Sequence, residues 1–394
     1  MTGAGLAAAL RFDWLTRERA RAYAAVILAT TLAVVVLRIV MSLLGAGPLG
    51  IPIDSDFISF WAASKLSLAG DAQNVYTIQI HWDVERTVLP DTGYSAFLYP
   101  PVWLLLCLPL ALAPFWWSLS GFLAATGFGY WWVTRRLLPD AGVAFLAFPA
   151  VIMNVVYGQN GLLTTALFGG GLLALGRRPL LAGLCFGCLA YKPHLAAVVP
   201  IALIAGRHWR AMAATAVTGT VLIAASAAVF GLGTWQAFVA EAPFARSVLE
   251  HGLATQIGWE SFFRAVVQMG GGLPLAYAVQ GVVAAAALTA LVVACRRRPD
   301  AVTAMLPLAT LACSPFLLAY DLALLALPMA WLVREGRARG FNGWDKLVLC
   351  LAFAAPIASV LASRAGAPVV GPVAIAALFL AVTRAWWRRP AAQP

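Results

Sequence analysis

The amino-acid sequence predicts an all-α protein that crosses a membrane many times. Hydrophobic residues make up 62% of the 394-residue chain and charged residues only 11%, whereas about a quarter of a soluble protein is charged. Arginines are grouped in short clusters between long apolar runs. A soluble protein of this size could not bury so much apolar surface in its core, so lipid is the expected solvent.

The apolar runs define the predicted spans. A helix needs roughly 20 apolar residues to cross the hydrocarbon core, and this rule gives about 12 spans in one bundle. The predicted spans are about 22–45, 114–134, 141–157, 161–176, 179–191, 194–206, 211–231, 274–294, 301–316, 318–333, 345–363 and 368–384. With a cytoplasmic N-terminus, every later arginine cluster falls inside, as the positive-inside rule requires. Residues 97–113 carry three prolines, and a fourth follows at position 114; the segment is predicted to dip into the membrane without crossing it.

Two longer segments, about 46–113 and about 232–273, are then predicted to lie outside. The first is acidic in a basic chain. Each contains a helix predicted to lie in the membrane interface. In FISFWAASKLSL, one face carries apolar residues and the other polar ones: Phe57, Phe60, Trp61 and Leu68 against Asp56, Ser59 and Ser67. The second outer segment repeats the theme in TWQAFVAEAPFARSVLEHG.

The composition and the motifs argue against several binding partners. The net charge of +11 would suit nucleic acid, but the arginines form no single basic face. The six cysteines lie in apolar segments, and the pair Cys185 and Cys188 lacks two further ligands for zinc. Asp54 and Asp56 alone are too few carboxylates for a divalent ion. We therefore expect no nucleic acid, metal or cofactor.

Ionisable residues at membrane depth are costly and usually functional. Lys192 precedes Pro193 and His194 at an outward helix break, where it would bind a phosphate or, alternatively, extend to the surface and fix a helix end. Asp321 would border the same cavity or cap the next helix. Gln159 lies at an outward turn, where it would contact substrate or only form the turn.

Asp56 is the candidate general base. A carboxylate at the head of an interfacial helix lies where a lipid head group would be, and partial desolvation there could tune its proton affinity. The alternative is a solvated loop residue or a helix N-cap. Spacing alone does not decide between these interpretations.

Five strings decide it by resemblance: DFISFWAASKLSLAGDAQNVY, YPPVWLLLCLPLAL, YGQN, AGLCFGCLAYKP and SPFLLAYDLALLALP. In this order they resemble glycosyltransferase family 87, over about residues 50 to 330. The resemblance implies a GT-C type fold with Asp56 as the base, and Asp54, two residues earlier, is the alternative base. The predicted substrate site contains Asp54, Tyr99, Gln159, Lys192, His194, Tyr320 and Asp321. Where some relatives carry a histidine beside the tyrosine–aspartate pair, this chain has Leu317, Leu318 and Ala319.

The implied reaction moves a hexose, typically mannose, from a polyprenyl-phosphate donor to a lipid or glycan acceptor outside the plasma membrane, with inversion. A single domain, 1–394, would then hold a catalytic core at 22–333 and C-terminal spans at 334–394, in contact with membrane lipids. The competing function is a transporter or lipid flippase, because such proteins also contain broken helices. No internal repeat accompanies the breaks in this sequence.

Overall fold

The computed structural model describes residues 12–43, 56–253, 258–367 and 370–387, and these are predominantly helical. Their only strand-like feature is an isolated bridge between Trp259 and Leu318. The predicted all-α class is therefore confirmed.

The helices are bounded as follows. The first ten are α1 Arg17–Leu43, α2 Phe57–Leu68, α3 Ile78–Arg86, α4 Val102–Cys107, α5 Phe115–Leu137, α6 Gly142–Leu146, α7 Pro149–Tyr157, α8 Gly161–Ala174, α9 Pro179–Gly187 and α10 Pro193–Ala196. The next ten are α11 Val198–Ala205, α12 Trp209–Phe230, α13 Leu232–Ala240, α14 Ala242–His251, α15 Phe262–Gln268, α16 Leu273–Arg297, α17 Val302–Cys313, α18 Ala326–Arg339, α19 Asp345–Arg364 and α20 Gly371–Trp387. Short 3₁₀ helices join some of them: Ala72–Tyr76, Leu110–Leu112, Pro139–Ala141, Cys188–Tyr191, Pro299–Ala301 and Ala319–Leu325.

Membrane-type helices are present, but fewer than predicted meet the criteria for a full span. Within the described residues, α12, α16 and α19 are long and apolar enough, and Pro139–Leu146 with Pro149–Tyr157 adds a fourth if this pair, bent by 51°, is one span. Other apolar helices are shorter: α8 has 14 residues, about 21 Å at 1.5 Å per residue, against roughly 30 Å of hydrocarbon. The membrane character is supported, and the number of about 12 spans stays a prediction.

The first predicted interfacial helix differs from its expectation. Helix α2 exists where predicted, but it is buried on both faces instead of one. Its predicted polar face is packed in protein: Ser59 is 2% and Ser67 9% exposed. An amphipathic pattern does not distinguish water from a packed protein surface, which explains the error. The second predicted interfacial region forms α13 and α14, where Leu232 and Val239 are exposed.

Helices α9 and α12 approach closely through glycine. Gly183 and Gly187 are four residues apart on α9, the small-xxx-small pattern of membrane helix pairs. A Cβ atom on Gly183 would lie 2.4 Å from the Ala214 Cβ and 2.6 Å from the Ala211 carbonyl oxygen, and one on Gly187 would lie 2.4 Å from the Thr218 Cβ. Only glycine therefore fits this contact.

Two ion pairs join the 3₁₀ helix Pro139–Ala141 to α1 and α18. Asp140 accepts from Arg21 on α1 at 3.1 Å and from Arg337 on α18 at 2.7 Å. Segments that the positive-inside rule assigns to one side thus meet in space.

The glycine contact yields a stability prediction. Alanine favours a helix over glycine by about 1 kcal/mol, but overpacking costs about 1–3 kcal/mol, so Gly183→Ala should lower the melting temperature of the detergent-solubilised protein. Gly219→Ala on α12 is the matched control, because nothing lies within 4 Å of its added Cβ, and it should not lower the melting temperature. Equal melting temperatures for the two variants would contradict the close contact.

Candidate active site

One cavity of about 540 Å³ gathers almost every residue that the sequence singles out. Seven of the eight predicted site residues border it: Asp56, Tyr99, Gln159, Lys192, His194, Tyr320 and Asp321. The eighth, Asp54, lies outside the described residues. The segments that supply them were all predicted to face the same side of the membrane.

Asp56 immediately precedes α2, but its side chain does not cap that helix. The carboxylate instead accepts a hydrogen bond on Oδ2 from the Gln159 Nε2 at 2.7 Å and one on Oδ1 from the Ser95 hydroxyl at 3.4 Å. The N-cap interpretation of Asp56 is therefore wrong. Two donors from separate segments orient the carboxylate toward the cavity that it borders.

Gln159 owes its position to a tight turn. Helix α7 ends at Tyr157, and Gly158 follows with φ 63°, a left-handed conformation that glycine adopts without strain. The Gln159 amide N–H donates to the Asn154 carbonyl at 2.9 Å. Its side chain also accepts from the Tyr99 hydroxyl at 3.4 Å. The turn is thus present, and Gln159 also borders the cavity; its contact with substrate stays a prediction.

Lys192 lies at the break between the 3₁₀ helix Cys188–Tyr191 and α10, which begins at Pro193. Its side chain is only 2% exposed, and Nζ lies 2.6 Å from Oδ1 of Asp321. The ammonium is also 5.1 Å from the centroid of the Tyr320 ring. A lysine extending to the membrane surface is excluded by this burial.

Asp321 performs both roles considered for it. Oδ2 accepts from the Leu318 amide at 3.3 Å and caps the 3₁₀ helix Ala319–Leu325, while Oδ1 forms the ion pair with Lys192. Removing one member of such a buried pair leaves the other charge unpaired, which costs about 3–5 kcal/mol. The pair therefore fixes two distant chain segments to each other.

Both charged and apolar residues border the cavity. Its charged lining residues in the described part of the chain are Asp56, Lys192 and Asp321, with His194 near the Phe316 ring, their centroids 6.1 Å apart. An apolar wall comes from the second outer segment: Phe238, Phe244, Ala245, Val248 and Leu253. Such a surface suits an amphiphile with a charged head and an apolar chain.

Sequence reasoning missed several residues that shape this cavity. Buried Asn154 donates to the Tyr320 carbonyl at 2.9 Å and accepts from the Leu162 amide at 3.2 Å. Tyr191 stacks on Trp103 with ring centroids 4.5 Å apart, and its hydroxyl lies 2.7 Å from that of Thr164. A lone asparagine within PAVIMNVVY was a signal for Asn154. The tyrosine gave no such signal, because aromatic residues are common in apolar helices.

Glu260, another buried acidic residue, holds the segment before Tyr320 through its backbone and joins that segment to α19 through its side chain. Its backbone amide donates to the Leu317 carbonyl at 2.8 Å, and the Ala319 amide donates to the Gly258 carbonyl at 3.1 Å. The Glu260 Oε2 accepts from the Ser359 hydroxyl of α19 at 2.8 Å. Burial raises the pKa of Glu260 to about 8, and this carboxyl links α19 to the segment before Tyr320.

Long apolar helices, together with a carboxylate and a buried lysine at a cavity with charged and apolar lining, are typical of an enzyme site in a membrane protein. The family model of glycosyltransferase family 87 matches residues 97–320, more than half of the chain. The chain therefore belongs to glycosyltransferase family 87, and the predicted family is confirmed. No curated protein and no solved structure matches it.

The matched range begins after Asp56 and ends one residue before Asp321. Tyr99, Gln159, Lys192, His194 and Tyr320 lie within it. The hydrogen bond that Gln159 donates to Asp56 joins the candidate base to the matched part of the chain.

The Glu260 carboxyl yields a pH prediction. The folded protein keeps the Glu260 proton at pH values where the unfolded chain, with a glutamate pKa of about 4.3, has released it. The neutral Glu260 carboxyl therefore contributes fully to the free energy of unfolding below about pH 4.3. This contribution is lost as the pH rises toward about 8, the pKa of Glu260. Glu260→Gln keeps a neutral side chain at every pH, so the melting temperature of this variant relative to the wild type should rise between pH 5 and pH 8. Melting temperatures that change with pH in the same way for both proteins would contradict the raised pKa of Glu260.

Proposed function

We propose that this glycosyltransferase moves a hexose, with mannose as the specific choice, from a polyprenyl-phosphate donor to an extracytoplasmic lipid or glycan acceptor. One observation carries the proposal: Asp56 and the Lys192–Asp321 pair border the same cavity. A base and a cation in one cavity are the two groups that this displacement requires.

Asp56 is the proposed general base. It takes the proton from the acceptor hydroxyl, whose oxygen attacks the anomeric carbon from the face opposite the phosphate. The bond from the anomeric carbon to the phosphate oxygen breaks, and its electron pair leaves with the phosphate, so the configuration inverts. Phosphate is a weak base and needs no protonation, so one carboxylate suffices where hydrolytic glycosidases use two.

Lys192 is the proposed cation for the departing phosphate. Its ammonium has three N–H donors, so it can keep its contact with Asp321 and also donate to a phosphate oxygen. In a buried cavity this charge acts on the developing phosphate anion more strongly than in water. His194 borders the same cavity and is a second donor candidate.

The apolar wall and the side of the membrane complete the proposal. Phe238, Phe244 and Val248 offer an apolar surface for the isoprenoid chain. Positive-inside topology supports an extracytoplasmic cavity in the plasma membrane, since the arginine clusters lie on the segments opposite to it. The family assignment favours transfer over the transporter or flippase alternative.

Replacing the proposed base gives the first functional prediction. Asp56→Asn keeps the size of the side chain and removes its basicity, so kcat should fall by about 10²–10⁴-fold. The measurement is transfer of labelled mannose from polyprenyl-phosphate mannose in membranes. Asp83→Asn is the matched control, because Asp83 is an exposed carboxylate of the same outer segment that pairs with Arg86. Wild-type turnover by Asp56→Asn would remove the proposed base.

Replacing Lys192, the proposed cation for the donor phosphate, gives the second functional prediction. Lys192→Ala should raise the KM for the donor by about tenfold or more, the value of a charge-assisted hydrogen bond, with a smaller change for the acceptor. Because Lys192→Ala leaves Asp321 unpaired, the double variant with Asp321→Asn separates folding from binding. The double variant should regain thermal stability and still bind the donor weakly. Unchanged donor KM in both variants would contradict the role of Lys192.

A further inference from the structure

A buried histidine–glutamate pair lies behind the cavity wall. His81 and Glu85 are one helical turn apart on α3, and both side chains are fully buried. Their facing atoms, Nε2 and Oε1, are 3.3 Å apart. Burying two ionisable groups is less favourable than burying an apolar pair of similar volume, so stability alone does not explain this choice of residues.

Glu85 connects to the proposed base through one residue. Its Oε2 accepts a hydrogen bond from the Ser95 backbone amide at 3.1 Å. The hydroxyl of the same serine donates to Oδ1 of Asp56 at 3.4 Å. Two hydrogen bonds thus lead from the buried carboxylate on α3 to the carboxylate in the cavity.

The segment that contains Ser95 needs such an anchor. Residues 92–98 have no regular secondary structure, so they lack the backbone hydrogen bonds of a helix or sheet. Trp82 donates to the Thr92 carbonyl at 3.0 Å, and Tyr76 donates to the Tyr99 carbonyl at 2.8 Å. These bonds fix the two ends, and Glu85 fixes the middle, where the segment borders the cavity.

His81 also supports the segment through its ring. The imidazole centroid lies 6.1 Å from the Tyr94 ring, at an interplanar angle of 86°, and 6.2 Å from the Phe97 ring. The pair therefore contacts residues on both sides of Ser95.

We propose that Glu85 and His81 are positioning residues for the transfer reaction, an inference that rests on the proposed function. Glu85 holds the Ser95 amide, and the Ser95 hydroxyl then orients the Asp56 carboxylate toward the acceptor hydroxyl. His81 lies beside the Glu85 carboxylate, with Nε2 at 3.3 Å from Oε1, and packs against the same segment. Neither residue borders the cavity, so they act through Ser95 and not on the substrate.

The kinetic test is a double-mutant cycle on Glu85 and Ser95. Ser95→Ala and Glu85→Ala should each lower kcat by roughly fivefold, the value of about one hydrogen bond, with little change in donor KM. Because both act on one carboxylate, the double variant should be no worse than the poorer single variant. Glu85→Gln keeps an oxygen that accepts from the Ser95 amide, so it should restore turnover to within about twofold of the wild type.

Three kinetic results would overturn the inference. They are multiplicative losses in the double variant, a Glu85→Gln variant as impaired as Glu85→Ala, and a raised donor KM with unchanged kcat. Asp83→Asn is again the control, because it removes an exposed carboxylate from the same helix and should leave turnover unchanged.

Hydrogen exchange tests the anchor without any substrate. In the detergent-solubilised full chain, Glu85→Ala should increase amide exchange in residues 92–99 and leave that of α2 unchanged, whereas unchanged exchange in 92–99 would overturn the anchor. The two proposals fail differently. An active Asp56→Asn variant removes the catalytic function itself. An inactive Asp56→Asn variant with independent Glu85 and Ser95 effects removes only the positioning role.

Discussion

The geometry of the cavity depends on one buried ion pair. Lys192 and Asp321 are 129 residues apart in the chain, and their side chains meet at 2.6 Å. Asp321 also caps the 3₁₀ helix Ala319–Leu325 through the Leu318 amide, so the same carboxylate fixes both the local turn and the distant lysine. In a low-dielectric interior neither charge is stable alone, and each therefore constrains the position of the other.

The remaining site residues occupy breaks in helices. Gly158 ends α7 before Gln159, Pro193 begins α10 after Lys192, and Asp56 immediately precedes α2. Non-helical backbone at membrane depth is tolerated where it is buried in protein or borders a water-filled cavity. The breaks that place these residues at the cavity are thus the same breaks that require a polar cavity around them.

This relation explains what the sequence could and could not predict. Proline, glycine and isolated charges in apolar runs identified Lys192, Asp321 and Gln159, and family resemblance identified Asp56. The sequence could not show that α2 is buried on both faces, because amphipathicity does not reveal what covers a polar face. Ser95, Glu85 and Glu260 were missed for a related reason: their roles come from contacts with distant segments. The number of spans also remained open, because several apolar helices are too short to be assigned by length.

The family match and the site have different boundaries. Residues 97–320 carry the family pattern, yet Asp56 and the Glu85–Ser95 hydrogen bond lie in the preceding segment. Beyond the match, Ser359 of α19 bonds to Glu260, which pairs with the segment before Tyr320. A Cβ atom on Gly371 of α20 would lie 1.9 Å from the Glu260 Oε2, so that helix also packs against this carboxyl. The first outer segment thus supplies the proposed base, and the C-terminal helices support the segment before Tyr320, so the matched residues alone do not form the whole candidate site.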